Sequence, residues 1–241
     1  MGLEKTIFGR KPVSEAFRAG AAIEKLFLAR GSENPADLLD LARHASVPVQ
    51  RVPPVKLNQL AGQGQRHQGV VAIISEFRYA DLDHILLAND SKGLRLLVLD
   101  RIQDPHNLGA IARSAEAAGF AALIISRSDS ARINDTVVKT SAGAVMHLPI
   151  VRSYDLSATL AQLNANAIRT IATGTDHPMT CWEADFTPPF ALLIGNEAEG
   201  IRHDLRPHCQ TQVSIPMYGK IASLNASVSA AILMFASRRN S

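Results

Sequence analysis

Cysteine is nearly missing from the 241-residue sequence. Cys181 and Cys209 are the two, and neither stands in a CxxC pair or at metal-ligand spacing. A disulfide framework and a thiolate zinc site are therefore excluded as organising principles, and a reducing, cytoplasmic compartment is expected. None of the eight histidines belongs to a convincing ligand set; His203, and His208 beside Cys209, read as surface residues, so no metal is expected. No apolar run approaches the roughly 18 residues of a membrane span. The opening MGLEKTIFGRKP lacks the apolar stretch of a secretory signal. No strand-like run leads into GxGxxG, and no Lys-Ser/Thr pair follows Gly200, so neither a dinucleotide fingerprint nor a phosphate-cradling loop is present. Internal repeats and low-complexity tracts are absent too.

The positive charge is uneven. The chain carries a net charge of +3, yet residues 1–75 hold ten lysines and arginines against six acids, while the remainder is nearly balanced. A basic front third suits a nucleic-acid partner, although a solvated surface would explain it equally well. Residues 1–75 alternate helix and strand signals. Lys11–Gly20 reads as a short helix, Lys25–Ala29 as a buried strand, 35–45 as a helix, Val47–Val52 as a strand and Gly69–Ile74 as a continuous apolar strand, with a polar loop over Gly62–Gln68. Residues 76–93 lose this rhythm and read as a linker, with a short helix around Leu82–Ala88. From residue 94 to 241 apolar runs recur at Leu94–Leu99, Ala121–Ile125, Val145–Ile150, Ile168–Ala172, Phe190–Ile194 and Val213–Ile215, mostly separated by helical patterns. Continuous rather than alternating apolar strands predict an α/β domain whose parallel sheet is covered on both faces.

Three motifs follow strand ends. After the first run comes Asp100–Arg113, in which Asn107 reads as an N-cap; Leu108, Ile111, Ala112 and Ala115 share one face and Gly119 ends the helix. Arg113 lies off that face, free to enter a cleft or simply to be solvated. After Phe190–Ile194 comes Gly195-Asn196-Glu197-Ala198-Glu199-Gly200, at the strand end where open α/β sheets bind ligands, or alternatively a plain glycine-bounded turn. After the last run, Ile215-Pro216-Met217-Tyr218-Gly219-Lys220-Ile221-Ala222-Ser223-Leu224-Asn225 leads into a final helix. Ser223 reads as its N-cap, Leu224, Val228, Ala231, Ile232 and Phe235 as its buried stripe, and Arg238-Arg239 as favourable charges at its C-terminus.

In this order and spacing the motifs resemble the TrmH (SpoU) family of SPOUT RNA methyltransferases, over residues 94–241. The resemblance rests on N-x-G-x-x-x-R at Asn107–Arg113, G-N-E-x-x-G at Gly195–Gly200 and I-P-M-x-G-x-x-x-S-L-N at Ile215–Asn225. In the front third, IFGRKPVSEAF near the start and HQGVVA at His67–Ala72 resemble the substrate-binding domain of the RlmB-like branch, which methylates a guanosine ribose, at position 2251, in the peptidyl-transferase region of 23S ribosomal RNA. The resemblance implies a C-terminal domain with a trefoil knot and a small N-terminal α/β substrate-binding domain. It implies S-adenosylmethionine bound against Gly195, Ile215 and Leu224, with Met217 nearby and Thr173-Gly174 as a further wall. It also implies a homodimer with the active site at the subunit interface. The reaction expected is 2′-O-methylation of a ribose in 23S RNA; a transfer-RNA ribose methyltransferase, or a non-catalytic RNA-binding ribosome-assembly protein of the same fold, are the rival readings.

The catalytic residues implied are Arg113, Asn107, Glu197, Ser223 and Asn225. Asn107 and Asn225 would orient Arg113 and the ribose, Ser223 would position, and Glu197 would anchor its loop or pair with the motif arginine. An arginine side chain ordinarily titrates above pH 12, so using one as a base at neutral pH would cost roughly 7–9 kcal/mol. The expected role of Arg113 is therefore to bind phosphate and stabilise negative charge developing on the ribose oxygen.

Overall fold

The computed structural model describes residues 4–19, 21–31, 35–62, 64–75, 77–88, 93–175 and 177–239, divided into units Met1–Arg78 and Tyr79–Ser241. In the first unit, strands β1 (Glu4–Phe8), β2 (Ile23–Ala29), β3 (Val49–Val52) and β4 (Val70–Ser75) form a sheet of order β1-β4-β2-β3. β4 runs antiparallel to β1 and β2, and β3 runs parallel to β2. Successive side chains of a strand point to opposite faces. Leu26 and Leu28 of β2 therefore join Val13, Leu38 and Ala42, from helices α1 (Arg10–Arg18) and α2 (Ala36–His44). Phe27 and Ala29 face the other way and meet Leu57 of α3 (Pro54–Ala61). Both faces being covered is why this strand reads as an unbroken apolar run. The front segments IFGRKP and HQGVVA meet in space: Gly9 N–H donates to Val70 O at 3.0 Å, and Arg10 N–H to the Gln68 side chain at 3.2 Å. β1 and α3 have no counterpart in the periodicity. Gly20, read as closing the first helix, lies outside the described residues.

The second unit is built on six parallel strands: β5 (Arg95–Leu99), β6 (Ala122–Ser126), β7 (Ile150–Ser153), β8 (Arg169–Gly174), β9 (Phe190–Ile194) and β10 (Thr211–Ser214). Their order is β10-β8-β9-β5-β6-β7. Leu96 and Val98 of β5 face a core shared with Leu82 and Ile85 of α4 (Leu82–Ala88) and Leu156, Leu160 and Leu163 of α7 (Leu156–Ala165). The alternate residues Leu97 and Leu99 are equally buried on the opposite face, the side left to α5 (Pro105–Ala117), α6 (Asp135–Thr140) and α8 (Ala226–Ala236). Of these, α5 packs against both α6 and α8. Each leucine so enclosed contributes about 1.5–3 kcal/mol. In the stretch 76–93, residue 76 and residues 89–92 are outside the described set, and α4 occupies much of the rest. No described helix is long and apolar enough to cross a membrane.

Several local expectations are corrected. Val145–Ile150 is not a strand: a 3-10 turn spans Ala144–Met146 and β7 starts at Ile150. Val145 and Leu148 are buried while Met146 and His147 are exposed, a spacing of three that belongs to a turn. Asn107 does not cap α5. Pro105 occupies the first turn, and Asp104 before it accepts from His106 N–H at 2.9 Å. Nor does Ser223 cap α8, because Asn225 does, accepting from Ser227 N–H at 2.8 Å and Val228 N–H at 3.4 Å. The face of α8 turned inward carries Ala226, Ala230, Leu233 and Met234. Val228 and Phe235, expected inside, are 46% and 53% exposed. Arg238 serves the end of a different helix, donating to Ala118 O at 2.5 Å and Gly119 O at 2.8 Å beyond α5.

Gly109, in the first turns of α5, is where α6 crosses. A methyl group there would lie 1.9 Å from Thr140 Oγ1 and 3.0 Å from the Val137 carbonyl oxygen. Alanine normally favours a helix over glycine by about 1 kcal/mol, but overpacking costs about 1–3 kcal/mol and Val137 O is backbone that cannot rotate aside. Gly109→Ala should therefore lower stability in urea unfolding, with an unchanged denaturant slope; a more stable variant would contradict this packing.

Candidate active site

Because all six strands of the second unit are parallel, their C-terminal ends lie along one edge, and the three motifs emerge there. At the end of β5, Asp100 is fully buried. It accepts from Arg202 N–H at 2.8 Å and lies 3.5 Å from Arg101 Nε and 3.2 Å from Arg202 Nε. Arg101 in turn pairs with Glu199 and donates to Gly200 O at 3.2 Å. Burial draws the Arg101 guanidinium down, but its bond to Glu199 and the charges of Asp100 and Glu199 outweigh that, so its pKa is raised.

The loop Gly195–Gly200 is shaped by these contacts and by its glycines. Asn196 and Gly200 exchange both backbone hydrogen bonds, at 3.2 and 2.9 Å, and the Asn196 amide donates to Arg101 O at 3.1 Å. A Cβ on Gly195 would lie 2.2 Å from the Gly200 carbonyl carbon, so no other residue fits without moving backbone. The loop then presents Glu197, which accepts from the Asn107 amide at 2.6 Å. Asn107 Oδ1 accepts from Asn225 Nδ2 at 3.1 Å. One chain of hydrogen bonds thus ties the β9 loop to the N-termini of α5 and α8.

Beside this chain lies a cavity of about 510 Å3, within the roughly 300–1,000 Å3 of small-ligand sites. Thr173, Gly174, Gly195, Ile215, Met217 and Leu224, all singled out from sequence, line it, as do Glu197 and Ser223. Thr173 is anchored by a hydrogen bond to Leu193 O at 2.9 Å. Asn107 and Asn225 reach the cavity only through Glu197. Arg113 does not line it; exposed on α5, it makes no described hydrogen bond or ion pair. Glu197 pairs with Asn107, not with Arg113.

The periodicity gave no role to Asp100, Arg101, Arg202, Arg206 or His177. Arg206 and His177 bring positive or polar character to the cavity wall, and His177 sits over Gly174. An acid placed directly after an apolar strand, with an arginine next to it, was the one available signal for Asp100. Ile194, Ile215, Met217, Leu224 and Leu233 supply the apolar half of a wall whose other half is polar, with Arg206 the arginine on it. Such a wall suits a ligand with a flat apolar part and a charged end. Both cysteines are free; burial raises Cys181 and pushes Cys209 up to about 11, which disfavours the thiolate of each. Among the described residues no three His, Cys, Asp or Glu side chains form a metal-holding group.

Residues 95–235 match the SpoU rRNA Methylase family, and residues 6–80 match the RNA 2′-O ribose methyltransferase substrate-binding family. A Staphylococcus haemolyticus protein, provisionally named a TrmH family tRNA/rRNA methyltransferase, is 35% identical over 233 residues, covering 95% of this chain and 93% of that protein. The SpoU methyltransferase AviRb of Streptomyces viridochromogenes, solved in complex with the cofactor AdoMet, is 29% identical with a TM-score of 0.63, covering 99% of this chain and 90% of that one. A structure described as an RNA 2′-O ribose methyltransferase is 28% identical with a TM-score of 0.60, covering 98% and 88%.

The Asn107–Glu197 bond joins two segments ninety residues apart. A double-mutant cycle with Asn107→Ala and Glu197→Ala, read by chemical denaturation, should give a coupling of about 0.5–1.5 kcal/mol. Strictly additive effects would mean that the two side chains do not meet in solution.

Proposed function

The chain belongs to the SpoU rRNA methylase family, and from that premise we propose that it methylates the 2′-oxygen of one guanosine ribose in 23S ribosomal RNA, the peptidyl-transferase position 2251. Its general activity is that of the family: S-adenosylmethionine-dependent 2′-O-methylation of RNA ribose. The observation that carries the reading is the convergence of the strand-end loops on one cavity, with the Glu197–Asn107–Asn225 chain at its border. The ribosomal target is supported by the basic front segment and its IFGRKPVSEAF and HQGVVA motifs. A transfer-RNA target is the competing reading, since the Staphylococcus relative is named for both substrates. Residues 1–75 are assigned to RNA selection and a cytoplasmic location is inferred. Mass spectrometry of ribosomal RNA from cells lacking the protein should show one guanosine without its 2′-O-methyl group. Fully methylated 23S RNA, with a ribose methyl missing from a transfer RNA, would move the target there.

The cavity fits the cofactor by size and by the chemistry of its walls. Thr173, Gly174, Gly195, Ile215, Met217 and Leu224 would hold it, the apolar side chains suiting its adenosine and Arg206 its carboxylate. Bound there, S-adenosylmethionine supplies an activated methyl group. The remaining work falls to the chain. The Gly195–Gly200 loop, made rigid by Arg101 and Asn196, fixes where the wall stands. Asn107, itself held by Asn225, holds Glu197, and Ser223, which lines the cavity, would orient the ribose. Arg113 binds phosphate and stabilises negative charge on the attacking oxygen. Because Arg113 is exposed and does not line its own chain's cavity, we place it across a homodimer interface. The apolar face of α8, with Val228 and Phe235 outward, supports that assembly, as α8 packs on the helix that carries Arg113. A trefoil knot is proposed on the family match of residues 95–235.

Arg113→Ala should reduce single-turnover methylation at least about 100-fold, the usual effect of deleting one charge-stabilising donor, while cofactor binding by calorimetry stays near wild type. Arg113→Lys restores charge but not the planar fork, so activity should recover only in part. A lysine variant that reaches the wild-type rate as pH rises through its own titration, near 10, would establish a proton-accepting role instead.

A further inference from the structure

The cavity takes up the ends of β8, β9 and β10, and the same edge continues past β5 to the ends of β6 and β7. There two arginine–tyrosine pairs lie side by side, joined through their arginines. The Arg152 guanidinium lies 4.8 Å from the centre of the Tyr79 ring. Its Nη2 donates to Arg127 O at 3.2 Å. The Arg127 guanidinium lies 4.4 Å from the centre of the Tyr154 ring and also donates to the Tyr154 hydroxyl. Tyr154, outermost, is 67% exposed.

A ring with a guanidinium over it and most of its surface exposed offers π-surface to whatever lies on it. The neighbouring charges decide what that is. Asp129 and Asp155 stand in the same strand-end loops; Asp129 accepts from Ser128 Oγ at 2.9 Å, and Asp155 caps α7 through Ser157 N–H at 2.8 Å. With Asp129 and Asp155 in the same loops as Arg127, the local charge is mixed, and recognition falls to the ring face. Strands in a sheet are spaced about 4.8 Å, so β7 lies three spacings, about 14 Å, from β9, a reach of a few nucleotides along the edge that holds the cavity.

We propose that Tyr154, backed by Arg127, is a stacking platform for an unpaired base of the RNA strand flanking the methylated ribose. This rests on the RNA methyltransferase reading and adds to it a site for a neighbouring base. Binding of a short fluorescein-labelled oligouridylate to the full-length protein tests it. Tyr154→Ala should weaken binding roughly 5–150-fold, the span of one base–aromatic stack, and leave the salt dependence unchanged, because no phosphate contact is lost. Tyr154→Phe should stay within about twofold of wild type, since the π-face is kept. On an abasic strand of the same length, Tyr154→Ala and wild type should bind alike. Undiminished binding of oligouridylate by Tyr154→Ala, an equal loss on the abasic strand, or no binding of oligouridylate by the wild type would each overturn the platform. Calorimetry with S-adenosylmethionine, run in parallel, separates the two failures: a wild type that does not bind the cofactor undermines the methyltransferase reading itself.

Discussion

Asp100 carries a carboxylate with no exposure to water at the end of the central strand, and an ion so placed has to be answered by donors and opposite charge. Breaking a buried pair by removing one partner costs about 3–5 kcal/mol. The Arg202 backbone N–H and the side chains of Arg101 and Arg202 supply the answer. Both arginines belong to loops that leave the sheet at the edge where the cavity lies. Arg101 then reaches Glu199 and Gly200 O, which folds the glycine loop back on itself. On the same loop Glu197 accepts from Asn107, and Asn107 accepts from Asn225. The geometry of the cavity wall therefore descends from a charge that never touches the cavity.

The helices of the second unit divide between holding that edge and leaving surfaces free. Glycine at position 109 lets α6 cross α5 at close range. Arg238 closes the end of α5 by bonding Ala118 O and Gly119 O. These contacts fix α5 from both sides, so Asn107 at its start and Arg113 two turns on hold constant positions relative to the strand ends. The outer face of α8 keeps Val228 and Phe235 in solvent at a cost that a second protein surface would remove.

Much of the fold was legible because burial on both faces of a parallel sheet forces unbroken apolar runs. Phe190–Ile194 is read to the residue, and four other strands of the second unit to within one or two. The failures have local causes. Val145 and Leu148 imitate a strand by density of apolar residues, while their spacing of three belongs to the turn that buries them. Short β1 at a sheet edge and α3, with Leu57 as its one buried residue, carry too little pattern to register. Asn107 and Ser223 look like caps, but Asp104, three residues earlier, and Asn225, two residues later, do that work. The residues lining the cavity were legible as motifs, since glycine, proline and strand ends mark where backbone must approach a ligand; Asp100 and Arg101 were not, because their partners come from the far side of β9.

What the sequence by itself determined is the layering: which segments are strands, that they are parallel and doubly covered, and that three short motifs follow strand ends. Periodicity reports how much of an element is buried. It does not report against what. Helix α8 is apolar nearly all round, so the set containing Val228 and Phe235 and the set containing Ala230 and Leu233 have the same helical spacing, and nothing local chooses between them. Tertiary structure made that choice, as it chose the partners of Asn107 and Asp100, because the deciding contacts join residues about a hundred positions apart and depend on which strands lie side by side.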